Sequence, residues 1–265
     1  MAGSFPLVKG TRARFTKTNG CGMPVAGPRN RLVTSGYVSL GLTAVMREAT
    51  DLTQDNAEGK ECISDRTEPE RRWYTPALEL CQVDPEVVTM FTGWETILDA
   101  NDEVIGFQDD KKIESEFAIA MELWTSGKSA DDCPEIPDTD AILTATGSGR
   151  RYGYFLFAGT EWVPGDITIS ASVATLTLTG RTIALPHWGK GPYNVQENAD
   201  GDAVRLLTPM NKSAHLRVFR TGIVPPEPTD GAVALATSTL FTDPDFYYGG
   251  PADEPAAEVA PDQAP

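Results

Sequence analysis

The sequence predicts a mainly β fold: an antiparallel β-sandwich or barrel with one short flanking α-helix and a long irregular C-terminal region. Three observations carry that expectation. Apolar and polar residues alternate with period two in several separate runs, the pattern of half-buried strands whose successive side chains point to opposite faces. One segment alone carries the start and stop signals of a helix. The 265 residues include 24 glycines and 20 prolines, and eight of the prolines lie between 225 and 265.

The strands follow in order along the chain. Val38, Leu40, Leu42, Ala44 and Met46 fall on one face, against Tyr37, Ser39, Gly41 and Thr43 on the other. The next stretch, Glu48–Gly59 (EATDLTQDNAEG), is polar and acidic and lies between two strand candidates, so it reads as an extended hairpin arm. Asp84-Pro85-Glu86 opens a helix, with Asp at the N-cap, Pro at the first helical position and an acid in the first turn. Val87, Met90 and Phe91 share one face and Gly93 can close the end, which gives a helix over 85–92. From Ile113 the odd positions Ile113, Phe117, Ile119, Met121 and Leu123 are apolar, and the even ones include Glu114, Glu116 and Glu122. Good helix formers crowd that stretch, but the clean alternation favours a strand. Ala174–Thr179 and His215–Val218 alternate in the same way, and Tyr152–Ala158 and Ala203–Thr208 read as less regular strands. The polar residues 126–140 form a connection, and 249–265 offer almost nothing to bury, so that tail is expected to be disordered. The organisation expected is a basic N-terminal segment over 1–36, a β-sandwich domain over 37–223 and a Pro-rich acidic extension over 224–265.

Charge narrows the function. Twenty-two basic and 38 acidic residues give a net charge of −16 and a pI near 4.5. A general nucleic-acid binder needs a basic face to displace phosphate counterions, and the bulk of this chain repels phosphate. The longest uncharged run, Leu32–Met46, falls short of the ~20 apolar residues of a membrane span. The start MAGSFPLVKGTRARF has no apolar core of a secretory signal, so export by that route is not expected. The distribution is asymmetric. Lys9, Arg12, Arg14, Lys17, Arg29, Arg31 and Arg47 stand in a segment without a single acid, whereas no base follows Arg220. Such asymmetry marks interaction segments: the basic start of one copy can meet an acidic surface of another.

The catalytic templates find little purchase. No phosphate-binding loop, nucleophile elbow or paired-cysteine metal motif occurs. Cys21, Cys62, Cys81 and Cys133 read as buried or idle thiols, with a Cys62–Cys81 bridge left open, and no metal or cofactor is expected. His187 and His215 read as structural. The strongest enzymatic pattern is the set Glu114, Glu116 and Glu122, which could supply a glycosidase carboxylate pair; a solvated sheet face, or an acidic surface that repels DNA, explains the same residues. Trp73, Trp94, Trp124, Trp162 and Trp188 are too scattered to define a sugar platform.

Three stretches add a resemblance: WYTPALELCQVDPEVVTMFTGWE at 73–95, VATLTLTGRTIALPHWGKGPYNV at 173–195 and VPPEPTDGAVALATSTLFTDPDF at 224–246. Together they resemble the major tail (tail tube) proteins of long non-contractile-tailed phages that infect actinobacteria. The likeness is diffuse and rests on no ligand motif. It implies two packed antiparallel sheets flanked by a helix, and subunits that form hexameric rings stacked head to tail into a hollow virion tube. It also implies assembly in the host cytoplasm around a tape measure protein, capping by tail terminator or baseplate proteins, and an acidic lumen through which DNA passes without specific binding. Under that resemblance Glu114, Glu116 and Glu122 become candidate lumen acids. Lys9, Arg12, Arg14, Lys17, Arg29, Arg31, Asp51, Asp55 and Glu58 become candidate inter-ring contacts. The alternative expectation is a β-sandwich module that binds carbohydrate or a receptor.

Overall fold

A computed structural model of the chain describes residues 9–81, 84–126, 151–165 and 175–237. The strands are β1 (Lys9–Asn19), β2 (Gly27–Thr34), β3 (Tyr37–Arg47), β4 (Asp51–Asp55), β5 (Glu61–Arg66) and β6 (Glu70–Leu80). After the helix α1 (Pro85–Thr92) come β7 (Glu95–Leu98), β8 (Val104–Gln108), β9 (Phe117–Ser126), β10 (Tyr152–Pro164) and β11 (Leu176–Ile183). The short strands β12 (Gln196–Glu197) and β13 (Ala203–Val204), then β14 (Leu216–Thr221) and β15 (Val233–Leu235), complete the order. The fold is mainly β and antiparallel with one short helix, as the alternation predicts.

One sheet organises the molecule, in the order β15-β2-β1-β9-β10-β11-β6-β3. Strand β10 is long enough to serve two partners along one edge: Tyr152–Phe157 pair with β14 and Ala158–Pro164 with β11. Its other edge pairs with β9. The chain between β11 and β14 leaves the sheet and returns to it. In doing so it lays Leu185, Trp188, Tyr193, Val195, Leu206 and Met210 over one face, against Trp124, Tyr154 and Leu156. The opposite face closes on itself, with Phe15, Met121 and Phe157 packed against Leu78 and Leu178. Helix α1 caps this second core. Phe91 meets Phe15 edge to face at 4.9 Å and Trp162 at 4.8 Å.

The helix lies where its sequence signals place it. The Asp84 side chain accepts from the Glu86 N–H at 2.9 Å, and Gly93 closes the end at φ 75°, a left-handed conformation that suits glycine. Several expectations need correction. Of the basic segment expected over 1–36, the described residues, from Lys9 on, are not separate, because β1 and β2 are members of the main sheet and β1 lies inside it. Strand β9 begins at Phe117, so Ile113–Glu116 precede it, and both of its faces are buried rather than one. Alternation reports the two faces correctly; it cannot report that the segment between β11 and β14 covers the second one. Ala203–Thr208 yields only the two residues of β13. The connection 127–140 and the tail 249–265 lie outside the described residues.

Candidate functional site

The surface that stands out is a β-ribbon. Strands β3 and β6 pair from Tyr37↔Leu80 to Arg47↔Glu70, and β4 and β5 continue the hairpin from Asp51↔Arg66. Backbone and side-chain bonds between Thr50 and Thr67 at 2.8 and 3.1 Å join the two halves. The arm expected at 48–59 is therefore real and longer, extending through Arg66. Every residue of β4 and β5 is exposed.

The arm nevertheless has two unlike faces. Cross-strand partners share a face, so the pairs Leu52↔Asp65 and Gln54↔Ile63 put Leu52 and Ile63 on one face together with Gln54 and Asp65. Leu52 and Ile63 are 55% and 63% exposed, large apolar groups open to solvent among the described residues. The other face carries Asp51 and Arg66, ion-paired at 3.4 Å. Residues 48–70 hold eight acids and two bases, and Asp51, Asp55 and Glu58 are all exposed among them.

The opposite end of the ribbon is an unpaired edge. Among the described residues β3 hydrogen-bonds only to β6. Register shifts interrupt it at Tyr37/Ser39 and Val45/Met46, and between them the strand carries no charge. Natural edges are usually blunted by charge, proline or brevity, and the centre of this one has only its flanking bulges. Beside it runs a groove of ≈ 290 Å³, lined by Tyr37, Val38, Leu40, Leu42, Phe155 and Phe157 among others. Tyr37 reaches over Gly10, where any Cβ would collide with its ring. The Tyr37 hydroxyl finds no hydrogen-bond partner there, and burial raises its pKa while Arg12 opposes the shift.

The basic residues divide into groups. Lys9 and Arg12 sit at the groove end of β1, Lys9 exposed and Arg12 half-buried beside Glu227 at 3.7 Å. Lys17, Arg29 and Arg31 lie at the other end. Lys17 covers the Phe117 ring at 4.0 Å and Arg29 pairs with Glu86 at 3.3 Å. Arg14 is not a surface contact at all. It opposes Glu122 in register across β1 and β9 and holds it by two bonds of 2.5 and 2.6 Å. Tyr154 donates to the same carboxylate at 2.5 Å, and Tyr193 stacks on the guanidinium at 3.5 Å.

That cluster corrects the acidic face. Glu122 is 1% exposed and spoken for on both oxygens, so it can be neither a lumen acid nor an accessible catalytic carboxylate. Glu114 is half-buried near Gly93 and Glu116 is exposed, both ahead of β9. A local signal separates them: Met121, Leu123 and Trp124 flank Glu122, whereas Lys111, Lys112 and Ser115 surround the other two.

The remaining candidates contribute no site. Trp124, Trp162 and Trp188 are buried, so they offer no sugar platform. His215 bonds Thr182 at 3.0 Å, with its pKa lowered by burial and by Arg71. Cys21, Cys62 and Cys81 are exposed and free rather than buried, and a Cys62–Cys81 bridge is ruled out because the two lie at opposite ends of the ribbon. Cys133 lies outside the described residues. No group of three metal-ligating side chains, and no helix long and apolar enough to cross a membrane, occurs among the described residues. No family model and no curated protein matches the chain.

Proposed function

We propose that this protein is a self-assembling tube subunit of a long non-contractile phage tail, a structural protein whose business is contact with its own copies. The observation that carries the reading is the 37–80 ribbon. It combines an edge that is uncharged between its bulges and unpaired among the described residues with an arm that projects two large apolar side chains into solvent. Both features are liabilities in a monomer and assets in a polymer. The resemblance of residues 73–95, 173–195 and 224–246 to tail tube proteins supplies the kind of polymer. Donor arm and free edge are different surfaces, so contacts between them are heterologous and propagate as rings or filaments. The net charge of −16 suits a conduit through which DNA must slide without adhering.

Negative-stain electron microscopy of the purified protein tests the reading. Hollow tubes of stacked rings are the expected result. A monodisperse monomer across the accessible concentration range overturns it.

A further inference from the structure

We propose that the foot of the arm carries a phosphate-binding site, built by Arg71 and Arg72 on β6 with Arg181 on β11. It stands apart from the assembly reading, because its ligand is a phosphate group and not a second copy.

Two bulges shape the site. Val45 pairs with Trp73 and Met46 with Arg71, so Arg72 is the extra residue of a bulge in β6. A second register shift, between Thr160 and Val163 of β10, leaves Glu161 and Trp162 opposite Gly180 of β11. Glu161 there has a φ of 55°, a left-handed conformation that few residues with a side chain adopt. Bulges re-aim side chains, and these two gather arginines around half-buried rings. The Arg72 guanidinium lies 5.8 Å and the Arg181 guanidinium 5.6 Å from the centre of the Trp73 ring. Arg71 lies 4.7 Å from the Tyr74 ring and donates to its hydroxyl at 3.0 Å. Tyr74 is anchored in turn: its N–H donates to the Thr182 hydroxyl at 2.8 Å, and that hydroxyl bonds His215 at 3.0 Å.

The three arginines are not equally engaged. Glu161 holds Arg181 at 2.7 Å. Arg71 and Arg72 are exposed and enter no ion pair among the described residues. A guanidinium held over a ring has less freedom to lose on binding, and its planar fork matches the oxygens of a phosphate. Two unpaired cations side by side match a doubly charged phosphate or a run of phosphodiesters, whereas a lone carboxylate leaves one charge over. Such contacts grip phosphates rather than base edges, so no sequence preference is expected. The rest of the chain, at a net −16, repels a polyanion, so binding should be weak and lost as salt is added.

His215 is a reporter beside the site. Burial lowers its pKa, and Arg71 lowers it further. A phosphate held on Arg71 offsets the second influence, so the His215 pKa should rise on binding.

Titration of the full chain at low salt with pyrophosphate and with a fluorescein-labelled thymidine oligonucleotide tests the site, read by NMR at His215 and by fluorescence anisotropy. R71Q/R72Q and K111Q/K112Q each remove two exposed positive charges, the second pair from the connection between β8 and β9. R71Q/R72Q is expected to weaken binding by about tenfold or more, and K111Q/K112Q by less than about twofold. Binding of pyrophosphate assigns the affinity to the phosphate group itself, and binding of the oligonucleotide alone assigns it to a strand that spans several guanidiniums; either supports the site. A wild type that binds neither probe, an equal loss in the two variants, or a His215 titration that the bound probe leaves unmoved overturns it, and none of these results touches the tube reading.

Discussion

Arg14 and Glu122 face each other across β1 and β9 in a place that water does not reach, and their mutual dependence sets two expectations. Removing one partner of a buried pair leaves an uncompensated charge, so Glu122→Gln should destabilise the fold by about 3–5 kcal/mol. Replacing both, as in R14M/E122L, should recover a large part of that loss, since apolar groups need no partner there. Urea titrations of the three proteins check this, and a double variant as unstable as the single one would sink it. The same cluster sets an alkaline limit. Burial, with help from Glu122, pushes the Tyr193 phenol up to about 12 despite Arg14, and Tyr154 is raised in the same direction, also chiefly by burial. The native state keeps these protons while the unfolded chain begins to release them near 10. Stability is thus fully present below about pH 10 and falls as pH rises towards about 12. Tyrosinate absorbance from these two rings should appear together with unfolding and not before it. The residue types alone do not reveal the pair, because partnership across 108 positions is a property of sheet register.

Among the elements, those built from local chemistry were legible and those completed from a distance were not. Helix α1 shows the first kind: its cap, its first-turn proline, its apolar face and its terminating glycine all sit within ten residues. Asp84→Ala should cost about 1 kcal/mol by orphaning the Glu86 N–H. Gly93→Ala should cost about as much or more, because a Cβ there meets the left-handed backbone and the Glu114 side chain at 3.0 Å. Melting curves of the two variants read both values. Strand β1 shows the second kind. Its four bases belong to a stretch without an acid that reads as an interaction segment, yet Ala13 and Phe15 face one core while Arg14 and Thr16 are enclosed on the other side. A deletion of residues 2–17 should therefore abolish folding rather than assembly alone, seen as lost tyrosine and tryptophan circular dichroism. A folded, assembly-dead deletion would restore the picture of a detachable basic segment. The arm falls between the two kinds. Its acidity and position between two strands were visible in the sequence, but its length was not, because β5 shows none of the apolar alternation that marks a strand with a core to face.

For the whole molecule, stability and assembly should separate along the ribbon. The packed body draws its stability from two apolar cores on the two faces of one sheet, and neither core contains a residue of β4 or β5. Arg47 and Glu70 are already paired at the point where the arm leaves the body. Replacing residues 48–69 by an Asn-Gly turn should close the shortened hairpin without disturbing that register. The truncated protein is expected to keep its unfolding free energy to within about 0.5 kcal/mol, since every side chain removed except the half-buried Ala49 is exposed, and to lose polymerisation altogether. Proteolysis supplies an independent view of the same separation. Lys60 and Arg66 lie on the exposed arm, so trypsin should cut there first in the monomer, and the assembled protein should resist cleavage at both sites because its arms are covered. Equal cleavage in the two states would mean that the arm stays in solvent after assembly, and the association of copies would then have to run through the free edge of β3 without it.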